Sequence, residues 1–157
     1  MSIEKVRAYL KELNCPKEIL EFETSSATVD LAAQAVGVIP ARISKTLCLM
    51  SKDGPIVVSV AGDAKIDNRK FKDRFGVKAK MLTPEETLEA TGHAVGGVCP
   101  FALPEGTRAF ADVSMQRFET VFPAAGSSNS AVELTCDELY HFGRCAAWVD
   151  ICKGWEE

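Results

Sequence analysis

The sequence predicts an α+β fold: a mixed, largely antiparallel sheet curled into a partial barrel, with helices packed outside. Helical and strand patterns alternate irregularly along the chain. Two β-rich runs, 41–50 and 56–61, flank the short turn Ser51-Lys52-Asp53-Gly54, which reads as an antiparallel hairpin. The length, 157 residues with 46% hydrophobic and 25% charged, suits a single domain over 1–157 with one core.

Each element has its local reason. Val6, Leu10 and Leu13 recur at helical spacing over 4–13, and Asn14-Cys15-Pro16 ends that helix. A short strand is predicted over 19–22. Thr28 is a natural N-cap for a helix over 29–36, Asp30 suits its positive first turn, and Gly37 follows as the C′ residue. The hairpin comes next, its first strand carrying Lys45. A basic helix spans 67–75, closed by Gly76, and a strand is expected over 77–82. Thr83, Pro84 and Glu86 form a capping box with proline at N1, and the helix stops at Gly92. A glycine-rich loop leads to a strand over 108–113. Residues 114–122 read equally as a short helix or a strand. After a turn-rich loop come a strand over 131–135, a helix capped by Thr135 or Asp137, and a closing strand over 146–151.

Composition narrows the class. No apolar run approaches the roughly 20 residues that span a bilayer. The first five residues lack a signal peptide's apolar block, so a cytoplasmic protein is expected. Six scattered cysteines without a C-x-x-C pair, and only two histidines, fit neither a zinc site nor a disulfide scaffold. Net charge is −4, yet residues 65–80 hold seven basic side chains against two acidic ones. That local +5 leaves −9 elsewhere. It is either a solvated helix face or a patch for a polyanion.

Strand parity puts Lys45 on one face with Ile43, Leu47 and Leu49. An ammonium among aliphatic neighbours costs several kcal/mol unless it is paired or opens to a pocket. The plain alternative is a strand-end lysine that snorkels to water. Gly96-Gly97 ahead of Pro100 could let backbone N–H groups converge on one oxygen, or form an ordinary turn. Gly126-Ser127-Ser128-Asn129-Ser130 suits phosphate or ribose contacts, or a hairpin loop. Asp112 could balance Lys45. Cys99 and His93, six residues apart, permit a cysteine nucleophile with a histidine base but supply no third orienting group.

Three ordered stretches resemble one family. Thr24-Ser25-Ser26 through Ile43-Ser44-Lys45-Thr46-Leu47, then Gly92-His93-Ala94-Val95-Gly96-Gly97-Val98-Cys99-Pro100-Phe101, then Gly126-Ser127-Ser128-Asn129-Ser130-Ala131 are similar to the YbaK/prolyl-tRNA synthetase-associated editing domains. The resemblance implies hydrolysis of mischarged aminoacyl-tRNA, usually tRNA(Pro) carrying a small non-cognate amino acid, by a free-standing editing protein. It implies Lys45, Gly96 and Gly97 as catalytic residues. Ser25, Ser26, His93, Val98, Cys99, Pro100, Asp112, Ser127, Ser128 and Asn129 are the expected substrate contacts. Lys65, Arg69, Lys70 and Arg74 are expected to hold the tRNA acceptor end. Prolyl-tRNA synthetase is a candidate partner. No cofactor, metal, membrane or DNA is implied. A non-catalytic module that binds aminoacyl-tRNA ends or a synthetase is the alternative.

Overall fold

The computed structural model describes residues 2–155; Met1, Glu156 and Glu157 of the expected domain lie outside the described residues. The opening helix, α1 (Ser2–Glu12), buries Ile3, Val6 and Leu10 along one stripe. β1 is only Leu20–Glu21. In α2 (Val29–Val36), Thr28 accepts the Leu31 amide at 3.1 Å and Gly37 takes the left-handed C-cap at φ 86°. The hairpin follows as β2 (Ile43–Ser51) and β3 (Gly54–Ala61), antiparallel from Ser44↔Ala61 to Ser51↔Gly54.

Beyond the hairpin the chain is cut into short pieces. β4 (Lys65–Ile66) precedes the basic helix α3 (Asn68–Phe75), which Asp67 caps through the Arg69 and Lys70 amides. The strand expected over 77–82 reduces to an irregular strip: Met81 bridges Leu49, Met50 N–H reaches Lys80 O, and Leu82 N–H reaches Cys48 O. α4 (Pro84–Thr91) carries the expected capping box. After β5 (Arg108–Asp112), the ambiguous stretch resolves into a 3₁₀ turn over Val113–Arg117 and then β6 (Thr120–Pro123). The strand expected over 131–135 divides into β7 (Ser130–Ala131) and β8 (Leu134–Thr135), because Ala131 pairs with Leu20 while Leu134 pairs with Val121. α5 (Cys136–Phe142) uses Thr135, not Asp137, as its cap. β9 (Cys145–Val149) and β10 (Cys152–Lys153) close the chain, β10 pairing with β4.

The main sheet runs β8-β6-β2-β3-β5-β9. It is mixed: β2–β3 and β6–β8 are antiparallel, whereas β2–β6, β3–β5 and β5–β9 are parallel. Parallel joins need crossovers, which place helices on the outside of a curled sheet. Both faces of the sheet are covered. Leu49 and Cys48, on opposite faces of β2, are 0% and 5% exposed. Parity alone therefore does not tell the cavity side of β2 from the core side. All six cysteines are free thiols. Among the described residues no helix is long and apolar enough to cross a membrane, and no cluster of His, Cys, Asp and Glu could hold a metal.

Candidate active site

The three stretches picked out in the sequence meet at one place. Ser26 N–H donates to Ser128 O at 2.6 Å, and the Ser25 and Ser26 hydroxyls reach the same carbonyl at 3.4 and 3.3 Å. Gly126 N–H donates to Gly97 O at 3.1 Å. A Cβ on Gly97 would sit 2.7 Å from Ser127 N and 2.9 Å from Gly126 C, so two backbones touch where only glycine fits.

Beside this joint opens a cavity of about 330 Å³. β2 supplies Ser44, Thr46 and Cys48 from one face, with Ile43 and Lys45 at its start. Val29 and Ala32 of α2, Phe122 of β6 and Ala131 of β7 give it apolar walls. Ser26, Gly96 and Val98 line it as well. Met81 and Val95, 54% and 64% exposed, mark its mouth. The Ser44, Thr46 and Cys48 face was not among the expected site residues. Its run of small polar side chains was the available signal.

Lys45 is half-buried, and its Nζ donates to Gly62 O at 3.3 Å. Burial lowers its pKa from the ordinary lysine value; Cys152 and Asp63 act in the opposite sense, and Lys65 adds to the lowering. Asp112 does not balance this charge directly. It is fully buried, and its two oxygens accept the Ser114 and Ile151 amides, each at 2.9 Å. The carboxylate caps a 3₁₀ turn and ties down the chain's last stretch.

The loop amides divide into two kinds. Gly97 N–H is spent on Ala94 O at 3.0 Å. The amides of Gly96 and Val98, two residues that line the cavity, carry no such bond among the described residues. Side chains of the third loop are occupied within the protein. Ser127 Oγ bonds Asn129 Oδ1 and Ser130 Oγ, and Asn129 Nδ2 donates to Phe22 O. Ser127, Ser128 and Asn129 are not among the residues that line the cavity, whereas Ser130 of the same loop is.

His93 and Cys99 do come together, with Sγ 3.5 Å from Nε2, but both are wholly buried. The Phe101 carbonyl lies 2.8 Å from Nε2 and can only accept, so Nε2 carries the proton; Nδ1 then accepts from the Ser2 hydroxyl. The ring braces the loop from His93 to Phe101. Burial pushes the Cys99 thiol up to about 12 and lowers the His93 pKa. This is an inert thiol beside a structural imidazole, not an activated nucleophile. Pro100 packs under the loop against the backbone at Gly143.

The basic segment lies mostly on the surface. α3 buries only Phe71, leaving Lys65, Arg69, Lys72, Lys78 and Lys80 exposed. Arg74 lies over the Phe75 and Phe110 rings, and Lys70 reaches Asp150 at 3.1 Å and Cys152 O at 3.0 Å. Two of the four expected tRNA contacts thus hold the fold as well.

Known proteins share this architecture. The aminoacyl-tRNA editing domain family matches residues 23–142. An uncharacterised Bacillus subtilis protein, YwhH, is 51% identical over 157 residues, covering 99% of this chain and all of that one. A proposed Cys-tRNA(Pro)/Cys-tRNA(Cys) deacylase from Enterococcus faecalis, EbsC, is 27% identical over 71% of this chain and 70% of its own. A crystal structure of a proposed trans-editing enzyme for prolyl tRNA synthetase superposes with a TM-score of 0.88 at 28% identity, over 98% of both chains.

Proposed function

Because the chain belongs to the aminoacyl-tRNA editing domain family, we propose that it hydrolyses mischarged aminoacyl-tRNA in trans, with tRNA(Pro) carrying a small non-cognate amino acid as substrate. The observation that carries the reading is the cavity. It is walled by small and apolar side chains, and Lys45, Gly96 and Val98 are among the residues that line it. A cytoplasmic setting and prolyl-tRNA synthetase as a partner in translation quality control belong to the same proposal.

An aminoacyl ester is already activated, so the protein must hold it, polarise its carbonyl and admit water. Water adds to the carbonyl carbon, the bond to the ribose oxygen breaks, that oxygen regains a proton, and the free amino acid leaves. Amides aimed at the oxygen that gains charge are worth roughly 10²–10³ in rate each. Gly96 and Val98 supply them; Gly97 acts by shaping the loop. The Lys45 ammonium binds the terminal phosphate or helps polarise the ester. No protein nucleophile enters this scheme, which agrees with the burial of Cys99.

The test is a panel of Ala-, Cys-, Ser-, Thr- and Pro-tRNA(Pro) incubated with purified protein. Rapid release of a non-cognate amino acid with Pro-tRNA(Pro) spared supports the proposal. Tight binding across the panel with no release above the spontaneous rate would reject it in favour of a non-catalytic module.

A further inference from the structure

The Gly62 carbonyl that holds Lys45 belongs to a turn fixed from three sides. Ala64 N–H closes it on Ala61 O at 3.0 Å. At Gly62 an added Cβ would lie 2.0 Å from Pro40 O and 2.8 Å from Val29 Cγ1, so the turn is wedged against the cavity wall. On the third side stands Arg117. Its Nη1 and Nη2 form a fork on the Asp63 carboxylate at 3.0 and 2.5 Å, and its Nε donates to Ser114 O at 2.9 Å. Its Nη1 also reaches Trp155 O at 3.1 Å, while the guanidinium lies over the Phe118 and Trp155 rings. Arg117 thus joins Asp63, Ser114, Phe118 and Trp155, and the editing reading gives it no role.

We infer that Arg117 is a positioning residue for Lys45: its fork on Asp63 fixes the Gly62–Asp63 turn, so that the Gly62 carbonyl keeps the ammonium and the Asp63 carboxylate stays off it. This rests on the reading that Lys45 acts in deacylation. The physical case is a competition for one carboxylate. Among the charged groups acting on Lys45, Asp63 favours the protonated form and Lys65 opposes it. Arginine's planar fork engages both oxygens of Asp63 and holds the carboxylate turned toward Arg117. With Arg117 gone, the carboxylate, one residue on from the carbonyl that holds Lys45, is free to turn toward the ammonium and draw it from its place.

Arg117→Gln, Arg117→Lys, Asp63→Asn and the double variant Arg117→Gln/Asp63→Asn test this, each checked for its fold by circular dichroism. Kinetics use the aminoacyl-tRNA cleaved fastest in the panel. Arg117→Gln is expected to lower kcat on the order of 10²-fold, the scale of a misplacement of about 1 Å, with KM nearly unchanged. Adding Asp63→Asn should restore most of that loss, since it removes the competing carboxylate. Independently, ¹³C-dimethylated lysines followed by NMR, with Lys45 assigned from Lys45→Met, report its titration. Arg117→Gln should raise the Lys45 pKa, and Asp63→Asn alone should lower it. An unmoved Lys45 signal in folded Arg117→Gln overturns the inference, as does a kcat loss that Asp63→Asn fails to rescue. If Arg117→Gln does not fold, Asp63→Asn and Arg117→Lys carry the NMR arm, and an unchanged titration in both overturns it. Full activity in Lys45→Ala would instead remove the functional reading. The NMR arm needs no activity and still decides the clamp.

Discussion

Lys45 keeps a charge in a half-buried place where, among the described residues, its ammonium bonds the Gly62 carbonyl, and such burial costs free energy unless the surroundings offset it. Lys45→Ala should therefore lower deacylation by at least about 10²-fold, while the melting temperature holds or rises. A fall in melting temperature with activity intact would make Lys45 structural. His93 contributes to the loss of stability in acid. Its folded pKa is lowered by burial below the ordinary value near 6.5, so between the two the unfolded chain binds more protons. Stability contributed by neutral His93 is thus full above about pH 6.5 and is lost as pH falls toward the folded pKa. Melting curves from pH 7.5 down to pH 5 should show this slope, and His93→Gln should flatten it. Cys99→Ser should keep deacylation near wild type, because a wholly buried thiol pushed up to about 12 has no thiolate to offer. Loss to background would revive the cysteine nucleophile. Sequence spacing brought Cys99 and His93 together correctly, but a six-residue gap carries no information about burial, and burial decides the chemistry.

At the scale of elements, legibility follows how local the cause is. Thr28, Asp67 and Thr83 each cap the helix that their own side chains announce, and the β2–β3 hairpin is set by its turn. β4 and β10 were not readable, because two residues such as Lys65–Ile66 become a strand only by meeting Cys152–Lys153. The role of Asp112 stayed open for a related reason: a carboxylate at a strand end looks the same whether it will meet a lysine or cap a turn. The site divides likewise. The glycine-rich loop was legible as a motif, but the division of labour within it depends on Ala94 O capturing Gly97 N–H. The Ser44, Thr46 and Cys48 face stayed hidden because both faces of β2 are covered. Gly97→Ala tests the loop as an element. Its new Cβ meets backbone at 2.7–2.9 Å, which cannot give way as a side chain would. Overpacking of this kind costs about 1–3 kcal/mol. Denaturant unfolding should show that loss, accompanied by reduced kcat as Gly96 and Val98 shift. Lower stability with unchanged kinetics would confine the loop to a structural role.

For the whole molecule the unexplained quantity is charge: +5 within residues 65–80 on a chain of net −4. The basic strip begins at Lys65, close enough to Lys45 to act on its pKa, and runs through α3 to the strand-like stretch at Lys80–Leu82 that borders the cavity. A nucleic acid lying along it would bring its end to the cavity mouth. Lys70 and Arg74 are poor probes, since reversing them would also disturb Asp150, Cys152 and the Phe75–Phe110 stack. Arg69, Lys72 and Lys78 are exposed and appear in no ion pair among the described residues. Changing these three to Glu should weaken binding of aminoacyl-tRNA. Each lost single-strand phosphate contact should reduce the log–log salt slope by about 0.7, so the slope should flatten by roughly 2 if all three make such contacts. Cleavage of a minimal aminoacyl-adenosine, which has no acceptor stem, should stay within about twofold of wild type, because exposed charges are screened by salt over a Debye length near 10 Å. Equal loss on both substrates would mean that the charges support the cavity itself. Unchanged tRNA affinity and slope would mean that tRNA reaches the cavity from another side, leaving α3 as a solvated face.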